Sequence, residues 1–313
     1  GLGDVYKRQV LGFILCLVLI LAACSNNSND KEKSEDTKES KSEMKTFKQA
    51  DGSEIEIPKD PKRIVVLHPT YIGALVKFGH KPVAIVDFVK QNKTLDEATK
   101  DIKRIGQGDI EQVTEAKPDL IITTKEDKNA NKLKKIAPTV LMDAMKSDYK
   151  QSTKTLGEIV NEKDKAEQWI HDWENKLAKD KDELGDKVKG KTISVIQETP
   201  KGITAFGTNH GRGTEIVYDG YGMKQPDRLA EETKNAYMVT PSEEQLAEYT
   251  GDYIILGTTG PKPEFTQKEN WNNLEAVKNN HVIDMDLSNT QYNDPLSLEK
   301  QRDIVFKQLK EMN

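Results

Sequence analysis

DIEQVTEAKPDLIITT, residues 109–124, is followed later in the chain by a second segment of the same design, SEEQLAEYTGDYIILG, residues 242–257. The two segments align without a gap. The identical pairs are Glu111 with Glu244, Gln112 with Gln245, Glu115 with Glu248, Asp119 with Asp252, Ile121 with Ile254 and Ile122 with Ile255. Each copy predicts a short helix, a turn and a buried strand. Repetition of this kind indicates a duplicated structural unit.

The segments that precede each copy also agree with one another. Residues 64–86, IVVLHPTYIGALVKFGHKPVAIV, predict a strand, a loop, a helix and a second strand. Residues 193–197 and 211–224, ISVIQ and GRGTEIVYDGYGMK, are interpreted as the same order of elements. Short β-branched runs that alternate with helical patterns predict parallel α/β sheets. The sequence therefore predicts two similar α/β lobes, residues 46–160 and 191–313.

A single long helix is predicted to join the lobes, within residues 161–190. DKAEQWIHDWENKLAKDKDELGDKVKG, residues 164–190, keeps apolar residues at helical spacing, contains no proline and ends in Gly190, a residue type that often terminates helices. Trp169 and Trp173 lie four residues apart on one face, so we expect them to pack on the lobes rather than bind a ligand. Two lobes joined in this way leave a cleft between them.

The loops at the cleft are expected to follow the strands, because ligands bind outside the carboxyl ends of parallel strands. The expected cleft loops are HPTY (68–71), TTKEDKN (123–129), NHGRG (209–213), GTTGPKPEF (257–265) and SNTQYNDP (288–295).

The N-terminus is predicted to direct export rather than to fold. KRQVLGFILCLVLILAAC has a basic head, an apolar run too short to span a bilayer and small residues before a cysteine, which indicates a signal peptide over residues 1–23. LAAC, residues 21–24, resembles the lipobox of bacterial lipoproteins, which are cut before the cysteine and carry a lipid such as palmitate on it; a chance cysteine is the alternative. Residues 24–45 are then the lipidated Cys24 and a polar, disordered tether. Residues 1–9, which lack a starting methionine, are interpreted as a cloning or sequence-assembly scar.

Composition excludes several classes of function. The formal net charge is −5 and no segment is rich in lysine and arginine, which argues against a nucleic-acid partner. Both cysteines, Cys16 and Cys24, precede the predicted lobes and so exclude a catalytic cysteine, a disulfide or a thiolate metal site there. The chain has neither a nucleophile elbow nor a His-Glu-x-x-His motif, so an enzyme is not expected.

Several further segments point to one family. KRIVVL, AKPDLII and YNDPLSLE, residues 62–67, 116–122 and 292–299, taken with the lipobox, the duplicated lobe and the connecting helix, resemble the substrate-binding lipoproteins of iron–siderophore ABC importers. GTNHGRGTEIVYDGYGMK and QYNDPLSLEKQRDI, residues 207–224 and 291–304, resemble the ferric hydroxamate-binding, FhuD-like branch of Gram-positive bacteria.

The resemblance implies a receptor rather than an enzyme, with a periplasmic-binding-protein-like fold on a helical backbone and no cofactor. Its ligand would be a ferric siderophore, in which the chelator already holds the iron, so the protein supplies no metal ligand. Its partners would be an ABC permease with a separate ATPase, and the membrane through the lipid on Cys24. It would be a monomer on the extracytoplasmic face of a Gram-positive cell membrane. Haem or a bare metal is the alternative cargo, since His68 and His210 could act as ligands.

The arginine of the glycine-flanked loop is the central site residue that the resemblance implies. In the family this side chain faces the iron-chelating oxygens, which here corresponds to Arg212. A planar, always charged fork of donors suits such oxygens, and Gly211 and Gly213 let the backbone approach the ligand closely. A surface arginine in a turn is the alternative.

Other cleft residues carry over from the same resemblance. Tyr292 corresponds to a cleft aromatic, with a core tyrosine as the alternative. His210 stands where the family often has tryptophan, and Gln291, Thr124 and Ala144 stand where aromatics are also found. The remaining predicted ligand contacts are Asn209, His68, Tyr71 and Tyr237, and loop packing is the alternative for His68.

The paired glutamates of the repeat have a separate predicted role. Glu111 and Glu244 match the positions at which the family docks one glutamate of each lobe on permease arginines. The alternative is a carboxylate that stabilises the start of a helix.

Overall fold

The computed structural model describes residues 43–313. The strands are β1 (Met44–Lys48), β2 (Glu54–Pro58), β3 (Ile64–Val66), β4 (Ala84–Val86), β5 (Lys103–Ile105), β6 (Leu120–Thr124), β7 (Thr139–Met142), β8 (Ile193–Thr199), β9 (Gly202–Phe206), β10 (Met238–Val239), β11 (Tyr253–Thr258) and β12 (Val282–Asp286). The α-helices are α1 (Gly73–Lys77), α2 (Lys93–Ala98), α3 (Ile110–Glu115), α4 (Ala130–Leu133), α5 (Tyr149–Ile159), α6 (Lys163–Leu184), α7 (Asp227–Glu232), α8 (Leu246–Tyr249), α9 (Glu269–Asn272), α10 (Glu275–Lys278), α11 (Leu287–Thr290) and α12 (Pro295–Glu311).

The predicted signal peptide, residues 1–23, and Cys24 lie outside the described residues. So does the predicted tether, except for its last three residues, of which Met44 and Lys45 belong to β1. None of the helices between residues 43 and 313 is long and apolar enough to cross a membrane.

The first lobe is built on a five-stranded parallel sheet in the order β5-β4-β3-β6-β7. Helices cover both faces, as expected for strands made of short, continuous apolar runs. Leu75 of α1 and Leu95 of α2 pack on one face, while Val113 of α3 and Leu133 of α4 pack on the other. The helices that follow β3 and β4 therefore cover one face of the sheet, and the helices that precede and follow β6 cover the other.

The second lobe has a mixed sheet in the order β10-β9-β8-β11-β12. β8, β11 and β12 are parallel, whereas β9 and β10 run antiparallel to their neighbours. The prediction of a parallel sheet that starts as strand, loop, helix and strand is therefore wrong for this lobe. β8 turns straight back into β9 through a tight turn that ends at Gly202, where φ is 110°.

The duplicated segments confirm the prediction of two similar α/β lobes. α3 leads into β6, and a 3-10 turn with α8 leads into β11. Asp119, just before β6, accepts hydrogen bonds from the backbone N–H groups of Lys62 and Arg63 at 2.7 and 2.9 Å. Asp252, just before β11, accepts one from the N–H of Thr192 at 2.8 Å. The repeated aspartate thus ties each of these strands to the start of its neighbour.

A 22-residue helix, α6, joins the lobes as predicted. It ends at Gly185, whose φ is 52°, and not at Gly190. Trp169 and Trp173 are 8% and 3% exposed, and their rings stack with centroids 5.5 Å apart. The indole N–H of Trp173 donates to the hydroxyl of Tyr149 at 3.0 Å. Both tryptophans therefore serve the packing of the helix, as expected.

The C-terminal helix α12 also reaches into the first lobe. Ser297 of α12 accepts a buried hydrogen bond from the side-chain amide of Asn92 at 2.9 Å. Next to it, the hydroxyl of Thr94 donates to the backbone carbonyl of Asn289 at 3.0 Å. The two lobes are thus joined by α12 as well as by α6.

Candidate functional site

A cavity of about 380 Å³, here called the cleft cavity, lies between the lobes. Its lining residues are His68, Thr70, Tyr71, Thr124, Glu126 and Ala144 from the first lobe and Phe206, Asn209, His210, Arg212, Tyr237, Met238, Gln291, Tyr292 and Asn293 from the second. The structure therefore brings together all seven residues that were predicted as ligand contacts. The loop 257–265 contributes none of the lining residues, so its prediction is wrong. Phe265 packs edge-on against Trp271, at 5.4 Å between ring centroids, and holds this loop against another part of the second lobe.

Arg212 is held on three sides. Its Nε donates to Oε1 of Gln197 at 2.7 Å, its Nη1 donates to the carbonyl oxygen of His210 at 2.6 Å, and its guanidinium carbon lies 4.3 Å from the centroid of the Phe206 ring. Nη2 has no hydrogen-bond partner among residues 43–313. Burial lowers the pKa of Arg212 to about 10, against the opposing charge of Glu215, so the side chain stays protonated at neutral pH.

Glu215 holds the loop that carries Arg212. This carboxylate is 1% exposed and accepts hydrogen bonds from the N–H of Gly211 at 3.0 Å and from the hydroxyl of Thr214 at 2.9 Å. It also accepts a hydrogen bond, at 3.0 Å, from the side-chain amide of Asn293, a residue of the loop that carries Tyr292. Burial raises the pKa of Glu215, and these hydrogen bonds oppose that rise.

Gln301 of α12 makes a second link between the same two loops. Its Oε1 accepts from the N–H of Gly213 at 2.8 Å, and its Nε2 donates to the carbonyl oxygen of Tyr292 at 2.5 Å. The hydroxyl of Tyr292 is buried without a hydrogen-bond partner in the described chain, although a buried polar atom normally has one. This hydroxyl is inaccessible to solvent, and the Tyr292 side chain packs against the core of the first lobe.

His68 and Tyr71 form the first-lobe side of the cleft cavity. The N–H of Thr70 donates to Nδ1 of His68 at 3.3 Å, so the neutral imidazole carries its proton on Nε2. Burial lowers the pKa of His68 to about 4, which keeps the ring neutral at physiological pH. The rings of Tyr71 and Tyr292 lie 5.5 and 6.3 Å from that of His68, centroid to centroid. The edge-on contact between His68 and Tyr292 therefore crosses the gap between the lobes.

His210 and Tyr237 form an edge-to-face pair with ring centroids 4.7 Å apart. Tyr237 is 39% exposed, so this pair lies at the mouth of the cavity. Burial, together with the smaller effect of the charge of Arg212, lowers the pKa of His210 to about 4. Asn209 donates across the cleft to the carbonyl oxygen of Ser147 at 3.5 Å. Because both cleft histidines are neutral, the positive charge of the cavity comes from Arg212.

Sequence reasoning did not name Gln197, Phe206, Met238, Glu126 or Asn293 as site residues, although the last two lie in loops that were predicted to reach the cleft. Gln197 is the first polar residue after the apolar run of β8, and Phe206 is the last residue of β9. A polar side chain toward the carboxyl end of a parallel core strand such as β8 is a usable signal, because that end faces the cleft. Phe206 ends a strand that runs antiparallel to β8, so it gives no such signal.

The remaining predicted positions do not line the cleft cavity. Glu111 lies in the first turn of α3 and Glu244 in a 3-10 turn before α8, and both are solvent-exposed. Within residues 43–313, no three His, Cys, Asp or Glu side chains converge in a way that could hold a metal ion.

Known proteins resemble this chain over most of its length. Residues 64–288 match the family model described as periplasmic binding protein. The chain is 35% identical over 314 residues to the iron(3+)-hydroxamate-binding protein FhuD of Bacillus subtilis, covering 97% of this chain and 98% of that protein. The solved FhuD protein from S. pseudintermedius is 38% identical with a TM-score of 0.82, covering 86% of this chain and 99% of its own. FhuD2 from Staphylococcus aureus, solved with bound ferrioxamine B, is 36% identical with a TM-score of 0.76, covering 80% and 99%. These similarities confirm the family that the sequence motifs indicated.

Proposed function

Because this chain belongs to the periplasmic binding protein family, which comprises binding proteins and not enzymes, we propose that it is the receptor of an ABC importer for iron. It captures a ferric siderophore of the hydroxamate type in the cleft cavity and delivers it to a membrane permease driven by a separate ATPase. The chelator holds the iron, so the protein needs no cofactor.

One observation carries this proposal: a guanidinium fixed on three sides presents its remaining nitrogen to the cavity. Arg212 shares the lining of the cavity with the ring of Tyr292 and with the neutral imidazole of His68. A fixed donor set of this kind suits a rim of oxygens with partial negative charge, as a ferric hydroxamate presents. The seven predicted contact residues act in this proposal as ligand contacts, with the aromatic rings packing on the carbon backbone of the chelate.

The role of Arg212 is tested with Arg212→Ala in titrations that follow quenching of tryptophan fluorescence by ferric chelates. We expect a loss of about 1.5–3 kcal/mol, the range for hydrogen bonds to charged groups, which corresponds to roughly 10- to 150-fold in Kd. Arg228→Ala is the matched control, because it removes an arginine that bonds Glu232 and Glu248 and does not line the cavity. Unchanged affinity in Arg212→Ala would overturn the assignment.

The ligand class is tested with the wild-type protein. The panel comprises ferric hydroxamate, catecholate and citrate complexes, with haem and zinc for the alternative cargoes. The tightest binding is expected for the hydroxamates, because a cleft with one arginine matches a weakly charged chelate better than a highly anionic one. Tighter binding of haem or of zinc alone would replace this proposal.

We further propose that Cys24 carries lipid and anchors the protein on the extracytoplasmic face of the cell membrane of a Gram-positive bacterium, where it acts as a monomer. The support for the anchor is the lipobox-like LAAC at residues 21–24. Glu111 and Glu244 serve as the contacts with the permease, one from each lobe.

A further inference from the structure

A second cavity, here called the side pocket, adjoins the cleft cavity within the first lobe. Its volume is about 400 Å³, and His68, Thr124 and Glu126 line both cavities. The side pocket is therefore within reach of any ligand in the cleft whose structure extends beyond the space between Arg212 and Tyr292.

The side pocket lies where the topology of the sheet favours ligand binding. It lies between the residues that follow β3, at Leu67 and His68, and those at and after the end of β6, at Thr124 and Asp127. β3 and β6 are neighbours in the sheet, but the helices that follow them, α1 and α4, cover opposite faces. This is a topological switch point, where the diverging loops leave a crevice at the carboxyl ends of the strands.

The lining of the side pocket is apolar inside and acidic at its rim. Aliphatic side chains make up the inner wall, among them Leu67, Val86, Val113 and Leu133. The rim carries the carboxylates of Asp109, Glu126 and Asp127 against one ammonium group, that of Lys128. The pocket therefore offers an apolar channel with a surplus of negative charge, opposite in sign to the Arg212 side of the cleft.

Glu126 is the carboxylate at this rim that is available to a ligand. The other two are engaged: Asp127 accepts from the hydroxyl of Thr123 and the N–H of Asn129, and Asp109 caps α3. The nearest cation to Glu126 is the ammonium of Lys125, at 3.9 Å, and Lys125 is closer to Asp143, at 2.7 Å. Glu126 thus keeps most of its acceptor capacity where the two cavities meet.

We propose that the side pocket is a second ligand subsite, which receives a positively charged aliphatic arm of the ferric chelate with Glu126 as its counter-charge. The inference rests on the proposed function and deepens it. Arg212 faces the chelated, oxygen-rich head, and the first lobe receives a chain that ends in a protonated amine. The protein would therefore prefer linear trihydroxamates with a terminal amine to uncharged or cyclic ones.

The test compares three ferric probes: ferrioxamine B as a linear trihydroxamate with a terminal amine, its N-acetylated form, and a cyclic trihydroxamate that has no arm. Wild-type protein should bind the amine probe about two- to five-fold more tightly than the acetylated one, the range of a partly exposed ion pair. Glu126→Gln should abolish this preference, measured as the ratio of the dissociation constants of the two linear probes. Glu97→Gln is the matched control, an exposed carboxylate of the same lobe that lines neither cavity.

A second variant tests the pocket itself rather than the charge. Asn129 lines the side pocket, and its side chain makes no capping hydrogen bond to α4, so Asn129→Phe removes no such bond while it fills the space. It should weaken both linear probes and spare the cyclic one. If Glu126→Gln keeps the wild-type preference, or Asn129→Phe affects no probe, the subsite is wrong while the proposed function stands. If none of the three probes binds to the wild-type protein, the proposed function fails, and the subsite with it.

Discussion

Arg212 has a backbone conformation that few residues other than glycine adopt. Its φ is 61°, between Gly211 at 69° and Gly213 at 95°, so three consecutive residues are left-handed. A non-glycine residue in this region carries strain of about 1–3 kcal/mol, which surrounding structure must offset. Here Glu215 and Gln301 accept hydrogen bonds from the N–H groups of Gly211 and Gly213 and so provide that support. The strained position keeps the guanidinium in the cavity before any ligand arrives.

The two cleft histidines make the stability of the protein depend on pH. The pKa values of His68 and His210 are lowered from 6.5 to about 4, mainly by burial. Between pH 6.5 and about 4 the unfolded chain therefore binds protons that the folded chain does not bind. Stability contributed by the neutral rings is complete above pH 6.5 and is lost as the pH falls, by at most about 1.4 kcal/mol per pH unit for each histidine.

We predict that His68→Asn reduces this loss of stability. The amide oxygen of asparagine can accept the N–H of Thr70 in place of Nδ1, but it does not titrate. The free energy of unfolding is measured with urea at pH 7.5 and at pH 5.0. From the higher to the lower pH it should fall by about 1–2 kcal/mol less in the variant than in the wild type. His171→Asn, which replaces a solvent-exposed histidine of α6, is the control and should behave as wild type. An equal fall in all three proteins would contradict the prediction.

Among the elements, the short π-helix at Glu215–Gly220 follows directly from the arginine loop. π-helical turns are rare and occur frequently at functional sites. The carboxylate of Glu215, the first residue of this helix, accepts hydrogen bonds from Gly211 of the arginine loop and from Asn293 of the Tyr292 loop. The two loops that carry the main predicted contacts are thus one hydrogen-bonded unit.

We predict that Glu215→Ala weakens siderophore binding although Glu215 does not line the cleft cavity. Removal of the acceptor leaves the buried N–H of Gly211 unsatisfied, which costs about 1–3 kcal/mol of stability, takes one of two acceptors from the side-chain amide of Asn293 and releases the loop of Arg212. Urea unfolding and fluorescence titration should show both losses, with affinity reduced roughly ten-fold or more.

Glu215→Gln is the matched control for that change. Its amide oxygen can still accept from Gly211 and Asn293, and its NH₂ group can donate to the hydroxyl of Thr214, so we expect near wild-type affinity and stability. Wild-type binding by a folded Glu215→Ala protein would show that the loop keeps its shape without this link.

Local patterns predicted the elements better than the contacts between them. The repeat was found because Asp119 and Asp252 make the same strand-tying hydrogen bonds in both lobes, so the same residue is required at both places. The β8–β9 hairpin was missed although Pro200 and Gly202 signal a tight turn between two apolar runs. The support of Arg212 by Gln197 depends on a strand pairing distant from the loop, which no local pattern records.

At the scale of the whole molecule, the lobes are connected more firmly than a single helix would allow. The start of α12 packs against α1 so closely that a Cβ on Gly73 would come within 2.1 Å of the carboxylate of Asp294. A buried hydrogen bond joins Asn92 to Ser297 next to this contact. Opening of the cleft is therefore expected to be small, and surface groups on the two lobes keep a nearly fixed spacing.

A nearly fixed spacing makes Glu111 and Glu244 suited to dock together on a permease, because neither lobe has to be ordered by the partner. Both side chains are exposed and neither lines the cleft cavity, so Glu111→Ala and Glu244→Ala should leave the Kd for a ferric siderophore within about two-fold of wild type. Uptake of radioactive iron by cells that depend on this receptor should fall several-fold in each variant and further in the double variant, since paired charges guide and hold a docked complex.

Glu97→Ala and Glu231→Ala remove one exposed carboxylate from each lobe and serve as controls that should transport normally. Transport at the wild-type rate by the double variant would leave the two carboxylates with the simpler role of stabilising helix starts.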